Sequence, residues 1–258
     1  MQAWYMSGAG NDFMVIDARG KELDYSKLAL ELCKLADCDG FMAVDFSDNA
    51  DFKLHFYNSD GSRGEMCGNG SRCVSRFAYD NSIAPASMTI ETDAGIIVSL
   101  RLSENQYRVC LNNPGILDLH RKGDVAYVEL GDPGVPHAVA EVPDLEHSQR
   151  EKLYEYAKGL RHDPAFPKGA NANLYRILGP EQVRILTFER GVEDYTLACG
   201  TGSGSVAAVL WTKGLLPTGK VAVENPGGTL HFEISGSEGK VEEILMSGPA
   251  DVLKIYEI

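Results

Sequence analysis

Two segments of the sequence repeat one pattern, and this internal repeat limits the folds that the chain can adopt. The first segment is HFYNSDGSRGEMCGNGSRCVSRFAY (55–79), and the second is LTFERGVEDYTLACGTGSGSVAAVL (186–210). Each runs from a strand-like stretch through a polar loop to a CGxGS turn and then into a helix-like stretch. The matched pair predicts a duplicated unit folded into two facing lobes, with Cys67 and Cys199 meeting across the cleft between them.

Strands dominate the secondary structure that the sequence predicts. Runs in which apolar and polar residues alternate predict strands, and runs with apolar residues at helical spacing predict helices. A Pro-Gly break in NNPGILD (112–118) separates two halves that have a similar order of elements. The predicted strands are 13–18, 41–46, 52–58, 87–93, 95–102, 106–112, 171–178 and 182–189, with two more around a turn within 124–142; the predicted helices are 25–37 and 145–161.

Length and composition are those of a globular protein with two domains. Hydrophobic residues make up 44% and charged residues 24% of the 258 positions, which are ordinary values for such proteins. Chains near this length tend to divide, because a single hydrophobic core stops growing. We therefore expect two domains.

The charge and the apolar pattern argue against nucleic-acid and membrane partners. The 37 acidic residues outnumber the 24 basic ones, for a formal net charge of −13, which disfavours a phosphate backbone or an anionic lipid surface. The first residues, MQAWYMSGAGNDFMVID, lack a basic region followed by an apolar core. No run approaches the roughly 18 apolar residues of a membrane-spanning helix. We expect a cytoplasmic protein.

The six cysteines are expected to be free thiols. None of their spacings is CxxC, and no histidine cluster accompanies them, so a metal site has weak support. A chain of this length does not need disulfides for stability, so free thiols in a reducing compartment fit best. The cysteines are Cys33, Cys38, Cys67, Cys73, Cys110 and Cys199.

A cysteine in a CGxG turn at a helix entrance is suited to acid–base chemistry. The first turn of a helix has unpaired N–H groups and about half a positive charge, which stabilise a thiolate and a carboxylate alike. The glycines allow the backbone to approach a ligand closely. Each turn is therefore predicted to supply both a proton-transfer group and a cradle for a carboxylate.

Two such turns with opposed faces predict inversion of a stereocentre. One thiolate would remove a proton from a carbon next to a carboxylate, and the opposite thiol would deliver a proton to the other face. The helix entrances would stabilise the enediolate-like charge that develops. This chemistry requires no cofactor in principle.

A cysteine beside glycines need not be catalytic. Free cysteine is among the residue types most often buried, and a redox pair is the rival hypothesis for Cys67 and Cys199. Two complete helix entrances are more than a redox pair needs, because dithiol oxidoreductases usually take both sulfurs from one local motif. The four other cysteines lack glycine turns, and we expect each of them to be a core thiol or an exposed residue without a catalytic role.

The chain resembles the diaminopimelate epimerase family over essentially its whole length. The matching motifs, in order, are GAGNDF (8–13), YNSDGS (57–62), MCGNGSRC (66–73), GANAN (169–173), FERG (188–191), ACGTGSG (198–204), NPGGTL (225–230) and MSGPADVLKIYEI (246–258). The resemblance implies an α+β fold of two pseudo-symmetric lobes, each a curved mixed β-sheet wrapped around a central helix. We expect lobes at 1–114 and 115–249, with 250–258 forming a strand that returns to the first lobe.

The resemblance also implies roles for individual residues of the two turns. Cys67 and Cys199 would be the two proton-transfer bases. The reacting carboxylate would be held by the backbone N–H groups of Gly68, Asn69, Gly200 and Thr201.

Five further residues are implied to bind the amino-acid substrate. They are Asn11, Asn58, Asn171, Glu189 and Arg190. The planar fork of Arg190 suits a second carboxylate, because it can engage both oxygens. Without the resemblance, turn chemistry would account for Asn11 and Asn58, and a surface ion pair for Glu189 and Arg190.

Three departures from the family pattern affect substrate recognition. Val135 stands where the family usually has the asparagine of Asn-Pro-His, and Ala43 stands where a glutamine is usual. The loop before Cys199 is one residue longer than usual and brings in Asp194 and Tyr195. The CGxG turns themselves are unchanged.

The resemblance implies an epimerase of LL- and meso-diaminopimelate, in the synthesis of lysine and peptidoglycan precursors. The alternative within this chemistry is a racemase that needs no pyridoxal phosphate and acts on another amino acid such as histidine, because the three departures reshape the distal pocket. A ligand-binding or redox protein that kept the fold without turnover is a further alternative. The expected partners are a small amino acid and, in a homodimer, a second copy of the chain.

Overall fold

The structure, a computed structural model, describes residues 1–64, 67–131, 134–237 and 239–258. The chain divides into two units. The first unit contains Met1–Cys110 and Ser247–Ile258, and the second contains Leu111–Met246. The first unit is therefore built from both ends of the chain, whereas the second is one continuous segment.

Eighteen strands and four α-helices account for most of the described residues. The strands are β1 (Gln2–Ser7), β2 (Asp12–Asp17), β3 (Gly40–Asp45), β4 (Phe52–Asn58), β5 (Arg63–Gly64), β6 (Ser87–Thr92), β7 (Gly95–Arg101), β8 (Gln106–Leu111), β9 (Pro114–Lys122), β10 (Val125–Gly131), β11 (Gly134–Glu141), β12 (Asn171–Gly179), β13 (Gln182–Glu189), β14 (Asp194–Tyr195), β15 (Lys220–Asn225), β16 (Gly228–Ser237), β17 (Lys240–Pro249) and β18 (Asp251–Glu257). The helices are α1 (Tyr25–Ala36), α2 (Gly68–Asp80), α3 (Arg150–Arg161) and α4 (Gly200–Thr212).

The strands of the first unit form a mixed sheet. The pairs β18–β1, β1–β2, β3–β4, β6–β7 and β7–β8 are antiparallel, whereas β2–β3 and β4–β6 are parallel. Parallel neighbours need a long crossover connection. The chain supplies α1 between β2 and β3, and α2 between β4 and β6. The two-residue strand β5 pairs with β4 on the way into α2.

The helices α1 and α2 pack on opposite faces of this sheet, because side chains alternate along each strand. On β2, Phe13 and Val15 join the buried cluster around α2, whereas Met14 and Ile16 join the cluster around α1. Side chains from β1, β3, β4, β6, β7 and β8 also enter the α2 cluster. The sheet therefore wraps around α2 as a central helix.

The second unit repeats the connectivity of the first. The pairs β10–β11, β12–β13 and β15–β16 are antiparallel, and β11–β12 and β13–β15 are parallel. The helix α3 crosses between the first parallel pair and α4 between the second, while the two-residue strand β14 pairs with β13 as β5 does with β4. This order confirms the predicted α+β fold of two similar units, each a mixed sheet around a central helix.

The central helices begin with small residues because many strands approach them. In α4, GTGSGSVAAVLWT, ten of the thirteen residues are buried, and α4 packs against β10, β11, β12 and β16. In contrast, α3 buries Ala157 and Leu160 on one face, against Phe166, Leu186 and Phe188. Among the helices that the structure describes, none combines the length and apolar character needed to cross a bilayer.

Most of the predicted elements are confirmed close to their predicted bounds. The strand β9, which was not predicted, begins at Pro114 within the break predicted at 112–118, because a proline is tolerated as the first residue of a strand. The helix predicted over 145–161 begins at Arg150, after a 3₁₀ turn over His147–Gln149. The turn predicted within 124–142 falls on residues 132 and 133, which lie outside the described residues.

Gly219, just before β15, and Gly214, just after α4, provide a matched test of close packing. Both have positive φ, 72° and 73°, but a Cβ at Gly219 would overlap the carbonyl oxygen of Ile234, whereas one at Gly214 would meet open space. Gly214→Ala should lower the free energy of unfolding only by the cost of placing a Cβ in the left-handed backbone region, about 1–2 kcal/mol. We expect Gly219→Ala to lower the free energy of unfolding by about 2 kcal/mol more in urea denaturation; equal losses for the two variants would contradict the close approach.

Candidate active site

Each CGxGS turn places its cysteine at the N-cap of a helix of thirteen residues. Cys67 precedes α2 with φ −131° and ψ 117°, and Cys199 precedes α4 with φ −126° and ψ 111°. Cys67 Sγ accepts a hydrogen bond from Gly70 N at 3.4 Å, and Cys199 Sγ accepts one from Gly202 N at 3.3 Å. The two cysteines therefore have nearly the same backbone geometry and the same capping bond.

A sulfur in this position lies where the helix is partly positive. The aligned peptide dipoles place about half a positive charge at the helix N-terminus. A backbone N–H that donates to the sulfur stabilises the thiolate more than the thiol. Both cysteines are thus placed where a thiolate is favoured, Cys67 half-buried and Cys199 buried.

Three positions after each cysteine, other side chains occupy the space that a Cβ on the glycine would take. A Cβ at Gly70 would overlap Met42 Cε, and a Cβ at Gly202 would overlap Asn173 Oδ1. At Gly202 the same atom would also lie 3.2 Å from Cys199 Sγ. The glycines therefore let the helix entrance pack against the sheet while the amide still reaches the sulfur.

The first two amides of each helix are suited to bind a carboxylate. They belong to Gly68 and Asn69 in α2, and to Gly200 and Thr201 in α4. N–H groups in a first helical turn have no acceptor within the helix and point toward its N-terminal end. Thr201 also places its Oγ1 3.6 Å from the sulfur of the cysteine before it.

The predicted site residues of the first unit are Asn11, Asn58, Cys67, Gly68 and Asn69, which we call the N-terminal half-site. Within it, Asn69 Nδ2 donates to Asn11 Oδ1 at 2.6 Å, so the loop before β2 is tied to the first turn of α2. Asn69 is 1% exposed, which means that this side chain is fixed inside the unit rather than in solvent.

Asp39 links the two asparagine segments of the N-terminal half-site. Its carboxylate accepts from Asn11 Nδ2 at 3.3 Å and from Asp12 N at 2.9 Å, and its carbonyl accepts from Ser59 N at 3.1 Å. Asn58, the residue before Ser59, ends β4. The structure therefore brings Asn11 and Asn58 to the same edge of the unit.

Asn58 is engaged in a turn. Its Nδ2 donates to Ser62 Oγ at 2.9 Å, and its backbone N–H donates to the Ser62 carbonyl at 2.8 Å. The side chain is exposed. These are the contacts that turn chemistry alone would require, so a substrate role for Asn58 stays a prediction.

The predicted site residues of the second unit form the C-terminal half-site: Asn171, Glu189, Arg190, Cys199, Gly200 and Thr201. Asn171 is 5% exposed, and its Oδ1 accepts from Arg190 N at 2.7 Å. Arg190 itself is exposed, and its Nη1 donates to the Lys168 carbonyl at 3.1 Å. Asn171 therefore fixes the backbone from which the arginine side chain extends.

Asn173, which was not predicted as a site residue, connects the parts of the C-terminal half-site. Its Nδ2 donates to the Asn171 carbonyl at 3.0 Å and approaches His137 Nδ1 at 3.2 Å, while its Oδ1 accepts from Thr187 Oγ1 at 3.0 Å. The side chain is fully buried beneath Gly202. Asn173 is therefore held in place by these hydrogen bonds and packs against the first turn of α4.

His137 is a neutral group in this network. Burial, together with the charge of Arg190, lowers its pKa to about 3. A neutral imidazole that accepts from Asn173 at Nδ1 carries its proton on Nε2. His137 is therefore uncharged at neutral pH.

The loop that carries Arg190 is attached to the end of α3 through Glu193. Its carboxylate accepts from Arg161 Nε and Nη2 at 3.0 and 2.8 Å, from Gly191 N at 3.0 Å, and lies 3.2 Å from His162 Nε2. The bond from Gly191, followed by Arg161, lowers the pKa of Glu193. Its φ of 57° is uncommon for a residue with a Cβ, so the loop is held in a strained turn.

The three departures from the family pattern differ in placement. Val135 is 36% exposed on β11. Ala43 is fully buried in the cluster around α1, on the opposite face of β3 from Met42, and Tyr195 is buried against Phe188 in the core beside α3. Ala43 and Tyr195 are thus core side chains, which leaves Val135 and Asp194 as the accessible departures.

The sequence contains a signal for one of the residues that were not predicted. In GANAN, the two asparagines two residues apart lie on one face of a strand, so selecting Asn171 could also have selected Asn173. Asp39 and Glu193 carry no such signal, because their contacts are with residues distant in the sequence or depend on a local left-handed turn.

The sequence comparisons match the chain over nearly its full length. A sequence model described as diaminopimelate epimerase matches residues 3–113 and 131–253. The diaminopimelate epimerase of Aquifex aeolicus is 35% identical, covering 100% of this chain and 96% of the relative. That of Chlorobaculum tepidum is 34% identical, covering 95% and 96%.

Comparison with solved structures supports the fold independently. A hydroxyproline epimerase from Agrobacterium vitis superposes with a TM-score of 0.71 at 16% sequence identity, covering 100% of this chain and 90% of that one. At this identity the likeness concerns the fold alone.

Loss of the Glu193 carboxylate should release the loop that carries Arg190. We expect Glu193→Ala to increase backbone hydrogen exchange across 190–197, because the contacts to Arg161, His162 and Gly191 are lost together. Hydrogen–deuterium exchange read by mass spectrometry at pH 7 measures this. Val192→Ala, a change at an exposed side chain in the same loop, is the control; unchanged exchange in Glu193→Ala would show that the carboxylate does not hold the loop.

Proposed function

Because this chain belongs to the diaminopimelate epimerase family, we propose that it interconverts LL- and meso-diaminopimelate by proton transfer at the α-carbon. The observation that carries the proposal is the pair of capping cysteines. Cys67 and Cys199 lie at equivalent positions of two repeated units. Each sulfur accepts a hydrogen bond from the third amide of a central helix. One such cysteine would suit many roles, whereas two suit a reaction that needs two equivalent proton-transfer groups.

The proposed reaction conserves protons and electrons between the two cysteines. In one direction a thiolate takes the α-proton, so the C–H bond breaks and an S–H bond forms. The electron pair left on carbon spreads into the substrate carboxylate. The other thiol then protonates the opposite face and becomes a thiolate. In the reverse direction the two cysteines exchange roles.

The helix entrances are proposed to stabilise the charge that develops on the carboxylate. The amides of Gly68 and Asn69, and those of Gly200 and Thr201, would donate to its oxygens. Fixed backbone donors of this kind need no reorganisation when charge develops, which makes them effective in the transition state.

The remaining predicted residues would bind the rest of the amino acid. Asn11, Asn58, Asn171 and Glu189 would engage its polar groups, and Arg190 its distal carboxylate. Support for Arg190 comes from its exposure and from the bond by which Asn171 fixes its backbone. A guanidinium fork pairs with both oxygens of a carboxylate.

We further propose a reducing, cytoplasmic setting and a second copy of the chain as a partner. None of the described cysteines is in a disulfide, which suits a reducing compartment. Leu253 and Ile255 are 52% and 45% exposed on β18, and contact with another copy would bury such apolar side chains.

The substrate is tested by deuterium incorporation. The protein is incubated in heavy water with diaminopimelate or with histidine, and deuterium at the α-carbon is measured by mass spectrometry. We expect label in diaminopimelate only. Label in histidine but not in diaminopimelate would replace the proposed substrate with that of the alternative racemase.

The two-base chemistry is tested by single substitutions. Cys67→Ser and Cys199→Ser should each reduce kcat by about 10²- to 10⁴-fold, because a hydroxyl is a far weaker acid than a thiol. Cys110→Ser, at a half-buried cysteine outside the CGxGS turns, should leave kcat nearly unchanged. Full activity in either of the first two variants would contradict the proposal.

Val135 is an accessible departure from the family pattern, and it can be changed back to the asparagine that is usual there. Val135→Asn introduces the side chain that the family pattern has there, and one added hydrogen bond to substrate should raise kcat/KM for diaminopimelate about fivefold. Ile177→Asn, at a residue of nearly the same exposure on β12 (37% against 36%), is the control. An unchanged or lower kcat/KM in Val135→Asn would show that position 135 does not contact the distal group.

A further inference from the structure

A pair of cysteines outside the CGxGS turns lies at the end of α1. Cys33 is in the last turns of the helix, and Cys38 follows two residues after the helix ends. Cys33 is 3% exposed and Cys38 is 9% exposed, and both belong to the buried cluster around α1. Neither thiol takes part in the proposed proton transfer, so the candidate active site does not account for their placement.

The way in which α1 ends brings the two cysteines together. Asp37 follows the helix with φ 52° and ψ 56°, in the left-handed region. The backbone N–H groups of Asp37 and Cys38 both donate to the Cys33 carbonyl, the second at 3.2 Å. This pattern is typical of a helix that ends in a left-handed residue, and the side chains at the two ends of such a turn are frequently in contact.

The two thiols are joined by a hydrogen bond. The Cys33 S–H donates to Cys38 Sγ, and the Cys38 S–H donates to the Gly40 carbonyl at 3.5 Å. The backbone hydrogen bond from Cys38 to Cys33 also keeps their Cα atoms within the roughly 7 Å that a disulfide can span. A disulfide between the two cysteines therefore needs only a small movement of the side chains.

The hydrogen bond between the thiols makes them chemically unequal. The bond from Cys33 lowers the pKa of Cys38, against the opposing effect of burial. The backbone N–H groups of Gly40 and Met14 lower the pKa of Cys38 further, whereas the charge of Asp39 opposes them. The bond to Cys38, together with burial, raises the pKa of Cys33 far above its ordinary value. Because the thiolate is the nucleophile, Cys38 is the more reactive of the two.

We propose that Cys33 and Cys38 are a redox modification site, which hydrogen peroxide converts from two thiols into an intramolecular disulfide. The Cys38 thiolate attacks one peroxide oxygen, so the O–O bond breaks, a sulfenic acid forms and hydroxide leaves with the proton that Cys38 gave up. The Cys33 thiol then attacks the Cys38 sulfur, and its proton leaves with the displaced hydroxide as water. The two thiols lose two electrons, and one peroxide is reduced to two waters.

The disulfide forms beside the N-terminal half-site. The residue after Cys38 is Asp39, whose carboxylate accepts from Asn11 Nδ2 and from Asp12 N, and whose backbone N–H donates to the Asp12 carbonyl at 3.0 Å. A bond from Cys38 to α1 thus adds a covalent link one residue from the carboxylate that connects the asparagine segments. The oxidation needs no substrate, so it is tested apart from the proposed function.

Lys34 lies between the two cysteines, so trypsin provides a direct test on the wild-type protein. The protein is treated with hydrogen peroxide, unfolded in urea with iodoacetamide to block the remaining thiols, and digested without reductant. Trypsin separates Cys33 and Cys38 onto peptides 28–34 and 35–53 unless a disulfide joins them. We expect mass spectrometry to show the two peptides joined, two hydrogens lighter than their sum, and separated again by dithiothreitol.

Three results of this experiment would overturn the proposal. The first is recovery of both peptides with blocked thiols. The second is a disulfide from Cys38 to a cysteine other than Cys33. The third is a sulfinic acid at Cys38 beside an unoxidised Cys33, which would show that Cys33 does not reach the oxidised sulfur.

Single substitutions test the roles of the two thiols. In Cys33→Ser the hydroxyl can still donate to Cys38 but cannot form the disulfide, so a sulfenic acid should persist at Cys38 and be labelled by dimedone. In Cys38→Ser the label at Cys33 should be about tenfold lower, because the thiolate of Cys33 is disfavoured. Equal labelling in the two variants, or more at Cys33, would overturn the assignment of Cys38 as the nucleophile.

Cys110→Ser is the control for oxidation that does not depend on the turn at the end of α1. Cys110 is half-buried on β8, outside that turn, and we expect the same yield of joined peptide as in the wild type. Loss of the joined peptide in Cys110→Ser would show that the disulfide forms by exchange with Cys110, which would overturn a direct reaction. Circular dichroism shows whether each serine variant is folded, and the wild-type result does not depend on the variants.

Discussion

The hydrogen bond from a backbone amide to a cysteine sulfur is the interaction around which each unit is arranged. It starts the central helix, places the sulfur at the positive end of that helix and leaves the first two amides directed at the same space. Gly70 and Gly202 donate these bonds, and the space that a Cβ would take is occupied by Met42 at Gly70 and by Asn173 at Gly202. The chemistry and the packing therefore depend on the same residues.

A mixed sheet wrapped around one helix explains why so much polar structure is buried close to the cysteines. Water does not reach an enclosed helix or the strand faces around it, so most polar side chains there need a partner within the unit. Asn69 pairs with Asn11, and Asn173 pairs with Thr187 and the Asn171 carbonyl. Such networks fix side-chain orientation, which a proton transfer over a short distance requires.

The sequence predicted the parts of the structure that depend on local patterns. Alternation of apolar residues located most strands, and the repeated CGxGS turn located both helix entrances and the duplication itself. The α+β fold of two similar units was predicted by family resemblance and is confirmed. Contacts that depend on the fold were not predicted: Asp39 bonds Asn11 across 28 positions, and Glu193 holds Arg161 across 32. Ala43 and Tyr195 were expected near substrate, but strand register places them in the core.

The return of the C-terminal strand to the first unit has a consequence for biosynthesis. β1 pairs with β18, and the Met1 amino group donates to the carbonyl of Ile258. Residues Leu111–Met246 can therefore complete their sheet on the ribosome while the earlier half still lacks its last strand. Because the Pro249 carbonyl accepts a hydrogen bond from Arg72, which also donates to Asn69 Oδ1, a chain that has not yet added its last strand lacks one of the bonds that support the N-terminal half-site.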